Sequence, residues 1–284
     1  METYGDLQDQ ITQDPRAIVV GRSALGRPIT LLRVGDGKGM FLFGTIHARE
    51  WITAHVVLAA YHRYLAAWQG ADGALPGADF LPIANPDGVA LAMEGLTSVP
   101  AYLRPYLIRL NGGEDFRLWK ANARGVDPNV NFDAGWGEGK GNLFAPAPAS
   151  YVGRYPASER ETQTLVELTL AQGYHGVLAY HCKGEVAYYG YVSPYGDLTL
   201  ARHSERAAQR LCAKWGYTPT PSVGSHGGYK DWYATRYPQG ICLTVEVGRD
   251  AYPHPYPVWD KERLIRLHGQ DALWLREEIW TKSL

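Results

Sequence analysis

The feature that most constrains this sequence is an alternation of short, strand-length apolar runs with longer amphipathic stretches. Residues 40–45 and 79–84 are of the first kind, and residues 53–69 between them are of the second. That order predicts strand, crossover helix, strand, and hence a sheet covered on both faces. The second half repeats it. Residues 158–172 open with Ser158 and Glu161 in the S-x-x-E spacing of a helix-capping box and stop at Gly173. Strands are predicted at 176–181, 185–191 and 241–247, and helices at 198–215 and 260–280. No repeat of fixed period occurs, and the Gly/Pro-rich stretches 70–77 and 135–148 are short for domain linkers. The expectation is a single α/β domain over residues 1–284, a mixed, mainly parallel twisted sheet with helices on both faces.

Composition narrows the partners. The chain is 45% hydrophobic and 20% charged with a formal net charge of −1, which argues against disorder and against a polybasic nucleic-acid or anionic-surface binder. No apolar run approaches the ~20 residues needed to cross a bilayer. Residues 1–14 carry Glu2, Asp6, Asp9 and Asp14 without a basic start and apolar core, so no secretory signal is expected. The three cysteines are an odd number in a chain large enough to have its own core. Reduced thiols and a cytoplasmic setting are therefore expected, or secretion if a leader precedes this sequence.

Chemistry concentrates at a few positions. His47-Ala48-Arg49-Glu50 follows the first predicted strand, where an imidazole and a carboxylate can meet one metal ion from a rigid support. Alone, the pair is an ordinary surface hydrogen bond. His181 ends another strand, at the carboxyl edge where ligand sites gather in α/β sheets. Glu246 interrupts the apolar run Thr244-Val245-Glu246-Val247, and a carboxylate there is costly without a partner or a function. Singly, these two read as a satisfied core histidine and a buried ion-pair member.

Together they resemble the zinc metallocarboxypeptidase family. The resemblance covers nearly the whole chain through seven ordered segments: Gly21-Arg22-Ser23 with Gly26-Arg27, His47-Ala48-Arg49-Glu50-Trp51, Asn85-Pro86-Asp87-Gly88, Gly125-Val126-Asp127, Ser158-Glu159, Gly227-Gly228 with Asp231-Trp232, and Glu246-Val247-Gly248. The stretches from Trp119 to Asp127 and from His181 to Val186 are similar to the bacterial branch that cleaves γ-D-glutamyl-diaminopimelate bonds of peptidoglycan peptides. The resemblance implies one Zn²⁺ per chain held by His47, Glu50 and His181, with a position left open for water. It implies Glu246 as general base and Asp127 as the carboxylate that orients a zinc histidine. The cation for the developing oxyanion would be Lys120, or Arg124 four residues on. Arg49 matches a substrate-subsite arginine.

The departures bear on substrate. The segment after the Gly-Val-Asp match reads Pro128-Asn129-Val130. Asn129 is kept, but Val130 stands where the family carries an arginine that grips a terminal carboxylate, and valine cannot replace that fork. The family's closing tyrosine aligns with Val223, leaving His226 or Tyr229 to substitute, and Cys182 stands where a serine is expected. Lys230 falls where preference for the side chain beyond the cut is set, and a cation there favours a carboxylate-bearing group. Lys183 and Arg49 are next in line for carboxylate recognition.

The implied activity is a zinc-dependent exopeptidase acting near the C-terminus of a short, acidic or cell-wall peptide. Two alternatives belong to other classes: a non-catalytic zinc-containing binder of such peptides, motivated by Val130 and Val223, and a zinc-dependent N-acyl amino acid deacylase. No G-x-S-x-G elbow supports serine hydrolysis. Gly35-Asp36-Gly37-Lys38-Gly39 lacks the phosphate-loop form and reads as a hairpin turn.

Overall fold

The computed structural model describes residues 2–192, 198–199 and 202–280. Helix α1 (Tyr4–Thr12) precedes the edge strands β1 (Ala17–Arg22) and β2 (Pro28–Val34). Next come β3 (Met40–Phe43), α2 (Ile52–Gly70), β4 (Ala78–Leu81), α3 (Pro86–Glu94) and α4 (Arg104–Asn111). A long irregular stretch leads to α5 (Arg160–Gln172), β5 (Gly176–Cys182) and β6 (Val186–Tyr189), followed by the short pair β7 (Tyr191–Val192) and β8 (Leu198–Thr199). The chain continues through α6 (Arg202–Trp215), β9 (Thr218–Pro221), α7 (Tyr229–Arg236), β10 (Ile241–Val247), α8 (Lys261–His268) and α9 (Asp271–Trp280).

Eight strands form one sheet in the order β1-β2-β4-β3-β5-β10-β6-β9. The centre, β4-β3-β5-β10, is parallel, and antiparallel pairs lie at β1/β2, β2/β4 and β10/β6. Apolar side chains alternate between the two faces of the central strands. Leu178, Tyr180, Leu243 and Val245 meet α2, α6, α8 and α9 on one face, whereas Val177, Ala179 and Cys242 meet α5 and α7 on the other. All seven residues of β5 are buried. Such a two-sided core explains why the central strands read as nearly continuous apolar runs.

The α/β expectation holds, and four local readings change. The Gly35–Gly39 turn does not close a hairpin, because β4 inserts between β2 and β3. The capping box at Ser158 does not form: Glu159 is the N-cap, and the Glu161 carboxylate accepts a hydrogen bond from Asn122 instead. The expected 198–215 helix begins at Arg202, after the strand pair, with residues 200–201 outside the described residues. The last helix breaks at Gly269, where His268 Nδ1 turns to the Asp271 carboxylate at 2.8 Å.

Candidate active site

Three strand-to-loop junctions at the carboxyl edge of the sheet bring the site together. His47 follows β3, and one 3-10 turn, Ala48–Glu50, carries Glu50 beside it before α2 begins. The Thr53 hydroxyl pins this turn by donating to the Glu50 carbonyl at 2.9 Å while accepting from the Thr45 N–H at 2.8 Å. Asn85 bridges the carbonyls of Ile46 and Ala121, so the turn is tied to the segment that bears Lys120 and Asp127. His181 lies near the end of β5. Glu246 on β10 is its direct neighbour across the parallel pair, and residues in register on adjacent strands project to the same face.

Ligand atoms of His47, Glu50 and His181 lie within 4.8 Å of one another, and all three residues are buried. Glu50 Oε1 is 3.0 Å from His47 Nδ1, and Oε2 is 3.3 Å from His181 Nδ1. Oε2 also accepts from the Cys182 N–H at 3.1 Å. On the other edge of its ring, His47 Nε2 meets Asp127 Oδ1 at 3.2 Å. Asp127 is fixed in turn by the N–H groups of Asn129 and Ser150 and by Lys120, 3.8 Å away.

The electrostatics favour a cation. Burial opposes charge on His47, yet Glu50 and Asp127 outweigh it and raise the imidazole to about 9. Burial likewise opposes ionisation of Glu50, but the two imidazoles hold its carboxyl well below the usual range. His181 is lowered by burial, and its Nε2 has no hydrogen-bond partner among the described residues. Two imidazoles and one carboxylate converging on one point suit an open zinc site. Burial first and Glu50 second push Glu246 up to about 8, and a dication at the cluster acts in the opposite direction. The Glu246 carboxylate has no hydrogen-bond partner among the described residues.

The sequence profile of the zinc carboxypeptidases matches residues 3–257. The chain belongs to the zinc carboxypeptidase family. It carries that family's His-x-x-Glu…His triad for a single zinc. It is 31% identical over 255 residues to γ-D-glutamyl-L-diamino acid endopeptidase 1 of Lysinibacillus sphaericus, covering 85% of this chain and 62% of that protein. To carboxypeptidase A1 of Bos taurus it is 27% identical over 276 residues, covering 84% of this chain and 59% of that protein. The chain thus spans a little under two thirds of these curated relatives. Bovine thrombin-activatable fibrinolysis inhibitor shares the fold at a TM-score of 0.76 and 17% identity, over 98% of this chain and 94% of that one. Murein-tripeptide amidase MpaA of Escherichia coli O157 does so at 0.58 and 19%, over 95% and 94%.

Two cavities meet at His47 and Glu246. The larger, about 490 Å³, is lined by Asn129, Val223, Lys230 and Asp231 among others. The smaller, about 240 Å³, is lined by Arg49, Lys120, Lys183, Asp250 and His254. Asp250 and His254 went unnoticed in the sequence because a loop after the last strand offers no spacing to read.

Several expected residues sit elsewhere. Arg124 points away from the metal cluster into a separate cavity, 3.9 Å from Glu159 and more than half exposed, so Lys120 alone faces the site. Tyr229 is core: it packs on Phe43 and Phe132, and its hydroxyl meets that of Thr169 at 2.8 Å. The spacing Tyr229, Trp232, Tyr233 is a buried helix face, a signal present in the sequence. His226 packs edge-on against Tyr191 and does not line the cavities. Lys230 is buried, not a helix-surface lysine, and its ammonium donates to the Gly190 carbonyl at 2.6 Å and to Asp231 at 2.5 Å.

Proposed function

We propose that this peptidase cuts short acidic peptides near the C-terminus, with γ-D-glutamyl bonds to a diamino acid, as in peptidoglycan stems, as the preferred substrate. The observation that carries it is the unpartnered carboxylate of Glu246, held in register beside His181 where the two cavities join. Support for the substrate class comes from the name of the Lysinibacillus relative and from valine at position 130, which cannot grip a terminal carboxylate.

His47, Glu50 and His181 would hold the zinc, which would supply the Lewis acidity that acidifies water and polarises the scissile carbonyl. Glu246 takes the water proton and hands it to the leaving amine. Lys120 projects its ammonium toward the same space and compensates charge developing on the carbonyl oxygen. Asp127 holds His47 in one tautomer by binding its far nitrogen, leaving Nδ1 as the ligand atom. Asn129 and Lys230 line the side taken by the leaving residue. Two of the three ammonium donors of Lys230 are engaged, and the third remains for a substrate carboxylate. Three buried, unpaired thiols fit a reducing compartment, which belongs to the same proposal.

Incubating the zinc-loaded protein with γ-D-glutamyl-diaminopimelate peptides, ordinary C-terminal dipeptides and N-acyl amino acids, with products read by mass, tests the reading. Release of diaminopimelate-containing products is expected. Cleavage confined to ordinary α-dipeptides would overturn the substrate class.

A further inference from the structure

Ala123, Arg124 and Val126, from the segment between Lys120 and Asp127, line a cavity that shares no residue with the two that meet at Glu246. At about 600 Å³ it lies within the ~300–1,000 Å³ usual for small-molecule sites. Four tyrosines, Tyr102, Tyr106, Tyr151 and Tyr155, stand on its walls. The Tyr106 hydroxyl donates to the Arg124 carbonyl at 3.1 Å, whereas those of the other three have no hydrogen-bond partner among the described residues. Tyr102 and Tyr155 are also 77% and 58% exposed, so their ring faces are largely uncovered. Arg154, likewise exposed, has neither hydrogen bond nor ion pair among the described residues. Arg124 comes no nearer than 3.9 Å to Glu159, too far for a hydrogen bond. The buried Glu159 carboxylate accepts from Asn122 Nδ2 at 2.7 Å and from the Ser158 hydroxyl at 2.9 Å, one on each oxygen. Each oxygen keeps a lone pair for a further donor.

These groups select a ligand by its chemistry. Two arginines and one glutamate give the lining a formal charge of +1, which matches a monoanion and is exceeded by a phosphate dianion. Uncovered tyrosine faces take a ring. A flat aromatic acid would meet those faces and the guanidinium groups, but it would leave the tyrosine hydroxyls and the Glu159 lone pairs shielded from water without partners. A ring that carries hydroxyl groups meets all of them. We propose that this cavity binds a sugar acid, a pyranose ring bearing one carboxylate, independently of the catalytic cleft. The carboxylate pairs with Arg154 and Arg124, whose planar forks suit it. Ring hydroxyls donate to Glu159 and exchange hydrogen bonds with the free tyrosine hydroxyls, while the apolar face of the ring lies on an exposed tyrosine. Free uronic acids and the muramic acid of a wall glycan share this chemistry.

Three hexoses that differ only at C6 test this: glucuronate, glucose and glucose 6-phosphate, titrated calorimetrically into the zinc-loaded protein. A second pair, N-acetylmuramic acid and N-acetylglucosamine, differs by the carboxylate-bearing lactyl group. In each pair the acid should bind roughly tenfold more tightly than its neutral partner, and the ratio should shrink as salt rises. In Arg154→Met the ratio should fall toward one, with zinc content, thermal midpoint and peptide hydrolysis unchanged. Arg154→Gln should behave alike, and Arg154→Lys should restore part of the ratio. Tighter binding of N-acetylmuramic acid than of glucuronate would assign the site to wall glycan, and the reverse to free uronic acids. Either result supports the proposal. No preference for the acid in either pair, or no binding of either acid up to millimolar concentration, would overturn it. So would a glucose 6-phosphate affinity above that of both acids, or benzoate binding as tightly as they do. A sugar acid held at the zinc instead would keep its affinity in Arg154→Met and Arg154→Gln, which also overturns the proposal. The γ-glutamyl reading is judged by its own hydrolysis assay and stands or falls apart from these results.

Discussion

On one side of segment 119–127, Asp127 is 1% exposed and firmly ionised, while on the other side Glu161, fully buried, is pushed up to about 7 by its burial and by neighbouring Asp87 and Glu159. Desolvation is the leading opposing influence in both cases, so the partners decide. Asp127 meets His47, Lys120 and two backbone N–H groups. Glu161 receives one side-chain hydrogen bond from Asn122, which it shares with Glu159, and its other oxygen is unsatisfied. The loop thus turns an ionised acid toward the His47, Glu50 and His181 cluster, while the acid behind it, Glu161 on α5, keeps its proton up to about pH 7. A buried acid contributes charge to a site only where donors have been built for it.

The sharpest test of the front is Glu246→Gln, which keeps size and removes the base. Hydrolysis should fall by about two to four decades with zinc retained, and a wild-type rate would make Glu246 structural. Asp127→Asn should follow in size, weakening zinc affinity by roughly 10–100-fold as the carboxylate that orients His47 is lost. A chelator competition measures it, and unchanged affinity would erase the difference between the two faces of the loop.

The back should respond in stability and not in rate. The folded-state pKa of Glu161 lies above its unfolded value, so it binds a proton more tightly when folded and its ionisation destabilises as pH rises from about 4.5 toward 7. Glu161→Gln removes that penalty. The variant should be more stable than wild type at pH 8 than it is at pH 5, by a difference on the order of 2 kcal/mol. Paired urea titrations at the two pH values check this, and a gain that is equal at both would mean that Glu161 is ionised throughout. The smallest effect belongs to Arg124→Ala. With the guanidinium turned toward Glu159 and mostly exposed, kcat/KM should stay within about twofold and stability within ~0.5 kcal/mol. A loss of tenfold or more in kcat would return Arg124 to the oxyanion.

What could be read in advance follows a physical line. His181 and Glu246 were legible because a polar side chain inside an apolar strand stands out against its neighbours, and His47 with Glu50 because their spacing fits one short turn. Lys120 could not be separated from Arg124 by sequence, since irregular backbone has no periodicity to say which way a side chain points. The turn at Gly35–Gly39 misled because its own residues suit a hairpin, while strand order is set by pairing with distant β4. Glu161 satisfied the capping pattern locally and was recruited by Asn122 from another segment. Lys230 was legible as a cation near the cut, but not as one already paired with its own neighbour, Asp231.

Metal stoichiometry bears most directly on the central claim, that His47, Glu50 and His181 hold the one zinc on which hydrolysis depends. Protein stripped by a chelator and titrated with Zn²⁺ should regain activity linearly up to one equivalent per chain, by elemental analysis, and His181→Ala should neither retain that equivalent nor recover. Full zinc retention by His181→Ala, or full activity in the stripped wild type, would contradict the account.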